Sequence, residues 1–295
     1  MKKFNIQLFA ADENTVMAAD LAKVRDVDFV ERFTAGLDTL NKMLGVTRKV
    51  EKRAGETLKV YKVTGTLAGG AVAEGEIIPL SQYETTYEPV GEAILKKWRK
   101  VTTAEAISEK GYGQAVNDTN EKMLKDIQKG IRADFVAFLA KGTGAATGAG
   151  LQATVAQAWG QLQVLFEDTA IESVYFINPM DVADYLGTAQ ISTQTAFGMS
   201  YIENFLGMGN AILAADVPKG KIYATAAENI VNYHIPVTSA DMAQAFGMTA
   251  DALGLIGIHT GPTYNNLSAE TVAASGAGFF AEKLDGIVVG TITGA

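Results

Sequence analysis

Polar and apolar residues alternate along two stretches that flank Gly69-Gly70. Residues 58–63 place apolar side chains on both faces of an extended segment, and residues 82–88 alternate Tyr and Thr with Gln, Thr and Glu. This pattern predicts two long strands joined through the two glycines as a hairpin. Neither strand carries enough apolar surface for the hairpin to bury itself, so we expect it to hold on to something else.

Apolar residues recur three to four positions apart in two other stretches. From Asp20 to Leu44 the pattern predicts an amphipathic helix, or two short helices broken near Gly36. From Gly113 to Ala140 the apolar stripe lies opposite lysines and an arginine and predicts the longest helix of the chain. At about 1.5 Å per residue, this helix would be roughly 40 Å long and would act as the spine of a domain.

The second half of the chain mixes helices and strands. The Gly- and Ala-rich residues 141–150 predict a flexible linker between two subdomains. Between this linker and Val217 the pattern predicts helix, strand, helix and strand. The segment "GAGFFAEKLDGIVVGTI" predicts two short strands that meet at a Lys283–Gly286 turn. Because helices and strands do not alternate regularly, the predicted class is α+β.

The segment "EAILKKWRKVTTAEAIS" predicts a strand that leads into a loop. Four of the five residues from Lys96 to Lys100 are basic, and Trp98 between them could stack on a base. In a strand, however, neighbouring side chains point to opposite faces, so no single basic stripe forms. Salt bridges to acidic neighbours are therefore favoured over binding to nucleic acid.

Composition limits the classes of function. The chain has 295 residues, a formal net charge of −8, a pI near 4.9 and no cysteine. The acidic balance disfavours bulk binding to nucleic acid, and the lack of cysteine excludes disulfides and thiolate metal sites. The apolar start is interrupted by Asn5 and Gln7, and no window resembles a membrane span, so we predict neither a secretory signal nor a membrane protein.

Residues for catalysis are scarce. His234 and His259 are the only histidines, each in an apolar strand context, and both are interpreted as structural. No serine lies in a Gly-x-Ser-x-Gly elbow, and the carboxylates are scattered among basic residues. We therefore predict no catalytic, cofactor-binding or metal-binding residue and no enzymatic activity. A soluble enzyme that uses scattered carboxylates stays open as the less favoured alternative.

The order of these elements resembles the major capsid proteins of tailed bacteriophages, whose fold is named for phage Hong Kong 97. The resemblance covers nearly the whole chain. The segments that carry it are the opening "FNIQLFA", "FGMSYIENFLGMGNAILAADVPKGKIYATAAENIVNY", "LGLIGIHTGP" and "GFFAEKLDGIVVGTI".

The resemblance implies four parts. Residues 1–50 would be the N-arm and residues 51–90 the extended E-loop. The P-domain would comprise residues 91–145 and 222–275, with the long helix as its spine. The A-domain would comprise residues 146–221 and 276–295.

The resemblance also implies a function. The chain would form pentamers and hexamers and build an icosahedral shell that encloses double-stranded DNA without sequence-specific binding. A separate scaffolding protein, a portal protein and a decoration protein would be partners. Assembly would take place in the bacterial host cytoplasm and the product would be the virion. The alternative within the same fold is an encapsulin-like compartment.

The candidates for contacts between subunits are aromatic residues of the hairpin and basic residues near it: Tyr61, Tyr83, Tyr87, Arg48, Lys49, Lys96, Lys97 and Arg99. Some members of the family cross-link a lysine of the E-loop to an asparagine of a neighbour. Lys59 and Lys62 lie in the corresponding element here, and Asn265 and Asn266 lie in a suitable loop. Non-covalent assembly is nevertheless the favoured interpretation.

Overall fold

The computed structural model describes residues 40, 43–167, 170–188, 201–202, 207–237, 239–250 and 254–294. Its helices are α1 Ala104–Lys110, a π-helical segment Gly113–Asp118, α2 Thr119–Leu139, α3 Gly150–Leu165, α4 Pro179–Thr188 and α5 Ala240–Phe246. Its strands are β1 Arg48–Glu51, β2 Thr57–Thr66, β3 Gln82–Glu92, β4 Lys96–Thr103, β5 Gly144–Ala149, β6 Ser173–Ile177, β7 Tyr201–Ile202, β8 Asn210–Leu213, β9 Lys221–Ala226, β10 Ile230–His234, β11 Thr249–Ala250, β12 Ile256–Thr263, β13 Ser268–Ser275, β14 Gly278–Ala281 and β15 Ile287–Thr293.

The long helix predicted from Gly113 to Ala140 is confirmed. It begins as the π-helical segment and continues as α2, which we call the spine helix. Its buried residues recur every three to four positions, so one stripe faces the interior and the charged residues face solvent. The α+β class is also confirmed, because helices and strands share the same cores.

A six-stranded sheet with the order β5-β15-β9-β6-β8-β7 packs between helices on both faces. Its strand β6 is buried throughout, as expected for a strand covered on both sides. Tyr175 and Ile177 point to the face covered by α3, and Val174 and Phe176 point to the face covered by the spine helix. The helices and strands predicted between the glycine-rich segment and Val217 are confirmed by α3, β6, α4 and β8.

The spine helix joins this sheet to a second one with the order β11-β12-β13-β4. Phe135 and Leu139, in its C-terminal half, pack against the six-stranded sheet. Ile127 and Ile131, one and two turns earlier, pack with Ile256 of the four-stranded sheet and its neighbours. One helix therefore supplies the apolar contacts of two sheets.

A three-stranded sheet with the order β1-β10-β14 lies beside these cores. The chain enters it through Leu40, Met43 and Leu44, whose side chains are buried against the spine-helix cores. Most of the helix predicted from Asp20 to Leu44 lies outside the described residues, as does the whole opening segment.

The predicted flexible linker at residues 141–150 is wrong, because most of it forms β5, an edge strand of the six-stranded sheet. Its glycines serve close packing. A Cβ on Gly142 would lie 2.4 Å from the backbone oxygen of Ile287, and one on Gly148 would lie 2.4 Å from the amide nitrogen of Thr154. Small residues are thus required by the approach of neighbouring backbone.

One further prediction is corrected, and another is confirmed. Strand β4 leads into helix α1 instead of a loop, and the Thr103 hydroxyl caps this helix by accepting a hydrogen bond from the Ala106 amide at 3.3 Å. The predicted turn at Lys283–Gly286 and the two strands that flank it are confirmed. These strands do not pair with each other: β14 pairs with β10, and β15 with β5 and β9. The Asn229 side chain binds the amide and the carbonyl of Lys283 and directs the chain from one sheet to the other.

In the part of the chain that the structure describes, no helix has the length and apolar composition needed to cross a membrane. The assignment of segments to an N-arm, an E-loop, a P-domain and an A-domain stays a prediction.

The packing of the spine helix gives a first testable prediction. Phe135 is fully buried, and its ring lies 5.4 Å from that of Phe176 and 5.0 Å from that of Phe279. Phe135→Ala would leave a cavity between the helix and two strands and should lower the free energy of unfolding by about 3–5 kcal/mol, measured by chemical denaturation. The control Val164→Ala, at an exposed helical position, should change it by less than about 0.5 kcal/mol. A loss below about 1 kcal/mol for Phe135→Ala would contradict this account of the core.

Candidate functional site

Strands β2 and β3 form the predicted hairpin, which confirms the first reading of the sequence. They pair antiparallel from Thr57 opposite Glu92 to Thr66 opposite Gln82, with a bulge between Leu58 and Lys59. Within the described residues these strands pair only with each other. The hairpin is therefore an arm that extends from the body of the subunit.

The register gives the arm one aromatic face. Tyr61 lies opposite Tyr87, and Gly65 lies opposite Tyr83, so the three tyrosines share a face. Their side chains are 61–67% exposed. On the other face, Thr64 lies opposite Glu84 and Thr66 lies opposite Gln82, and these four residues are polar. The expectation that neither face could bury the hairpin is refined, because the apolar surface is concentrated on one face and lies open to solvent.

Local contacts hold this aromatic face in place. The Tyr83 ring covers Gly65, where a Cβ would come within 2.2 Å of a ring carbon, so the ring lies directly on the opposite backbone. The Tyr61 and Tyr87 rings are 6.3 Å apart, and the Lys59 ammonium lies 4.9 Å from the centre of the Tyr87 ring. The face is thus arranged before any partner binds.

The tip of the arm, residues 67–81, carries the most exposed apolar side chains. Ile77 is 95% exposed and Leu80 is 94% exposed, and Leu67 and Ile78 are 80% and 70% exposed. The Ser81 hydroxyl closes the tip by accepting from the Ala68 amide at 3.0 Å and donating to the Ala68 carbonyl at 3.1 Å. A group of exposed apolar side chains is typical of surfaces that contact another molecule.

The arm is fixed at its root and acidic along its length. Ala93 is buried and exchanges backbone hydrogen bonds with Gly55 and Glu56 across the base of the hairpin. Residues 63–95 contain five glutamates and no basic residue. A partner surface for the arm should therefore combine apolar groups with positive charge.

A cleft of that kind lies between β4 and the spine helix. It has a volume of about 510 Å3, and apolar and charged residues alternate along its walls. Lys96 pairs with Asp134 of the spine helix, and Arg99 pairs with Glu270 of β13 with its Nε 2.6 Å from the carboxylate. These ion pairs confirm the predicted salt bridges of the basic stretch.

Lys100 differs from the other cations of the cleft. Its ammonium donates to the Thr119 hydroxyl and to the Val116 carbonyl, at 3.3 Å for the latter. Among the described residues, no ion pair includes Lys100. Partial burial without a carboxylate lowers the pKa of Lys100 to about 8, because the charged form loses hydration.

The remaining contact candidates lie in separate places. Arg48 and Lys49 are on β1, where Arg48 pairs with Glu282, and Lys97 lies exposed on β4. Arg99 points to the face of β4 opposite Lys96, as alternation requires. The structure thus groups the tyrosines on the arm, places Lys96 at the cleft with Lys97 and Arg99 on the other face of β4, and places β1 elsewhere. That any of these residues contacts another subunit stays a prediction.

Both histidines make contacts within the subunit. His259 Nδ1 lies 3.1 Å from the Gly247 carbonyl oxygen, and His234 Nε2 lies 3.8 Å from Glu51. Burial lowers the pKa of His234, which outweighs the opposing effect of Glu51. Within the described ranges, no three His, Asp or Glu side chains come together in a group that could hold a metal ion.

Comparison with known proteins found matches among solved structures and none among sequences. The sequence matches no known family and no curated protein. Solved structures do match: the capsid of cyanophage P-SCSP1u shares 7% identity with a TM-score of 0.58 and covers 85% of this chain and 87% of its own. The capsid of a native GTA particle shares 11% identity with a TM-score of 0.61, covering 91% and 95%. The SrpI encapsulin of Synechococcus elongatus shares 10% identity with a TM-score of 0.61, covering 91% and 92%.

The chain has the Hong Kong 97-like capsid fold. Identities this low establish the fold and leave function to be argued from the residues. The resemblance found in the sequence is confirmed at this level.

Two features of this capsid fold were missed by sequence reasoning. The apolar tip was treated as part of a turn, although the run "EIIPL" in an otherwise polar loop was a visible signal. Lys100 belongs to the same basic stretch as Lys96 and Arg99, and only the structure reveals that those two have carboxylate partners while no ion pair of the described residues includes Lys100.

The lowered pKa of Lys100 predicts an unusual reactivity. Since this pKa is about 8, roughly half of the Lys100 amines are neutral at pH 8, compared with less than about 1% for a lysine with the ordinary value of 10.5. An amine-acylating reagent used in limiting amount at pH 8 should therefore modify Lys100 ahead of the exposed Lys129, as measured by peptide mass spectrometry. The preference should shrink as the pH rises towards 10.5. Equal labelling of the two lysines at pH 8 would show that Lys100 is not perturbed.

Proposed function

We propose that the chain is the major capsid protein of a tailed bacteriophage, which assembles into an icosahedral shell around double-stranded DNA. The observation that carries this proposal is the arm: a capsid fold extends an ordered hairpin whose tyrosine face and apolar tip lie uncovered. A surface of this kind is stabilised by burial against another copy.

In this proposal the arm extends from one subunit onto the surface of a neighbouring subunit. A subunit that lays its hairpin over a neighbour receives a hairpin from another neighbour, so each copy takes part in the same contact twice. Repetition around closed rings of five and six subunits multiplies modest contacts into a stable particle. In this proposal residues 51–90 act as the E-loop, the spine helix belongs to the P-domain, and the six-stranded sheet belongs to the A-domain.

The charge of the chain is compatible with enclosing DNA. A net charge of −8 per subunit opposes tight binding of phosphates along the inner wall, which would hinder the packaging and release of a genome. We further propose a separate scaffolding protein, a portal protein and a decoration protein as partners, assembly in the host cytoplasm and a final location in the virion. No catalytic activity belongs to this proposal.

A second candidate function is an encapsulin-like compartment that encloses protein cargo. The similarity to the SrpI encapsulin, with a TM-score of 0.61, supports it as well as the similarity to the GTA capsid supports the phage proposal. Analysis of what purified particles contain would distinguish the two candidate functions, since a capsid would package nucleic acid and an encapsulin-like compartment would package protein.

Electron microscopy and sedimentation of the purified chain, alone and with a candidate scaffolding protein, test the proposal directly. Rings, sheets or hollow particles that sediment far ahead of a 31.2 kDa monomer are the expected result. A uniform monomer or dimer under both conditions would overturn it and would favour the soluble-enzyme alternative.

The arm gives a sharper prediction. Replacing residues 67–81 with Asn-Gly keeps the Thr66–Gln82 register and closes the strands with a two-residue turn. This variant should fold with an unchanged thermal unfolding midpoint, because the cores do not include the tip. It should form no stable shells in the same microscopy and sedimentation measurements. Normal particles from this variant would refute the role of the arm in assembly.

A further inference from the structure

Strand β1 connects the arm to the body of the subunit. It pairs in parallel with β10 and ends with Glu51 opposite His234. The Lys52 amide continues this ladder by donating to the His234 carbonyl at 2.9 Å. Within the described residues, β1 lies at the edge of its three-stranded sheet. It can therefore detach without breaking the pairing of β10 with β14.

Two polar side chains of β10 are buried at this joint without a hydrogen-bond partner in the described part of the protein. Asn232 is fully buried, and neither the nitrogen nor the oxygen of its side-chain amide has a partner. Nδ1 of His234, two residues later on the same face of the strand, has none either. Each of these groups loses hydration without a protein contact that replaces it. The joint is therefore weaker than the burial of β10 alone would indicate.

In the described part of the chain, the charged groups that act on His234 belong to β1. The Glu51 carboxylate lies 3.8 Å from His234 Nε2, too far for a hydrogen bond, and Lys49 adds a positive charge from the same strand. On the other side of His234 the chain runs through residues 276–278, which are Gly, Ala and Gly and carry no titratable side chain. Burial lowers the pKa of His234 more than Glu51 raises it, so the closed joint favours the neutral imidazole.

The direction of this pKa change sets the pH range in which the joint weakens. A histidine released to water has its ordinary pKa near 6.5, which is above the pKa of His234 in the closed joint. Above about pH 7.5 the imidazole is neutral in both forms, and the closed form keeps its full stability. As the pH falls below 6.5, the open form binds a proton more readily than the closed form, so the equilibrium moves towards the open form. At pH 5 this shift can reach at most about 30-fold, the value for a closed histidine that takes up no proton.

We propose that β1 and His234 form an acid-sensitive latch, which holds β1 on the body at neutral pH and releases it when His234 takes up a proton. Release opens the imidazole to water, because β1 is the strand that lies beside it. Residues 52–56 lead directly from β1 to the first strand of the arm, so release allows the arm to change its inclination. The inference concerns the single subunit and goes beyond the proposed function.

Hydrogen exchange of the purified, unassembled chain at pH 7.5 and pH 5, followed by mass spectrometry, tests the latch. After correction for the intrinsic pH dependence of exchange, peptides that contain β1 should exchange about 5-fold to 30-fold faster at pH 5, whereas peptides from the buried strand β6 should not change. The variant His234→Gln has no titratable group at this position and should lose the difference. The control His259→Gln removes the other histidine, which is exposed, and should keep it.

Nuclear magnetic resonance of His259→Gln provides a second measurement, which stands even if His234→Gln does not fold. His234 is then the only histidine of the chain, so its imidazole signal is unambiguous. This signal should titrate with a pKa below 6.5, because burial disfavours the charged form. The amide signals of residues 48–52 should weaken over the same pH range.

Three results would overturn the latch. The first is a rise in β1 exchange that is as large in His234→Gln as in the wild type, since carboxylates would then be its cause. The second is a rise of less than about 2-fold in the wild type between the two pH values. The third is a pKa of His234 at or above 6.5, because acid would then stabilise the closed joint.

Discussion

The packing of the spine helix between two sheets is the contact on which the rest of the subunit depends. Its C-terminal half fills the core of the six-stranded sheet and its N-terminal half fills that of the four-stranded sheet. A largely buried ion pair between Arg132 and Asp216 fixes the helix to the segment that follows β8. Both the arm and the cleft are positioned through this helix, since β4 lies at the edge of the sheet that it supports.

The body and the arm use their side chains in opposite ways. In the body, apolar stripes are covered and most cations of the cleft have carboxylate partners. The arm exposes its tyrosines, its apolar tip and its glutamates. The described part of the chain leaves that surface exposed, and burial against another copy would stabilise it, as we propose for assembly.

Periodicity predicted the elements whose environment is local. The hairpin and the spine helix follow from alternation and from three-to-four spacing, and the order of elements was sufficient to suggest the fold. The sequence did not reveal that β5 is a strand, because Gly142 and Gly148 are small for the sake of backbone from distant segments. Nor did it reveal the separation of β14 from β15, which depends on the contacts of Asn229. That no ion pair of the described residues includes Lys100 likewise depends on which side chains lie near it in space.

The bulge between Leu58 and Lys59 lies close to the root of the arm, where a ladder of hydrogen bonds is interrupted and a strand can bend. Bending there redirects the whole arm while the cores keep their packing. In a closed shell of chemically identical chains, the angle between neighbours differs between rings of five and rings of six. In the shell that we propose, a joint at the base of the arm would let one sequence meet both angles, so that differences in curvature would be absorbed outside the folded body.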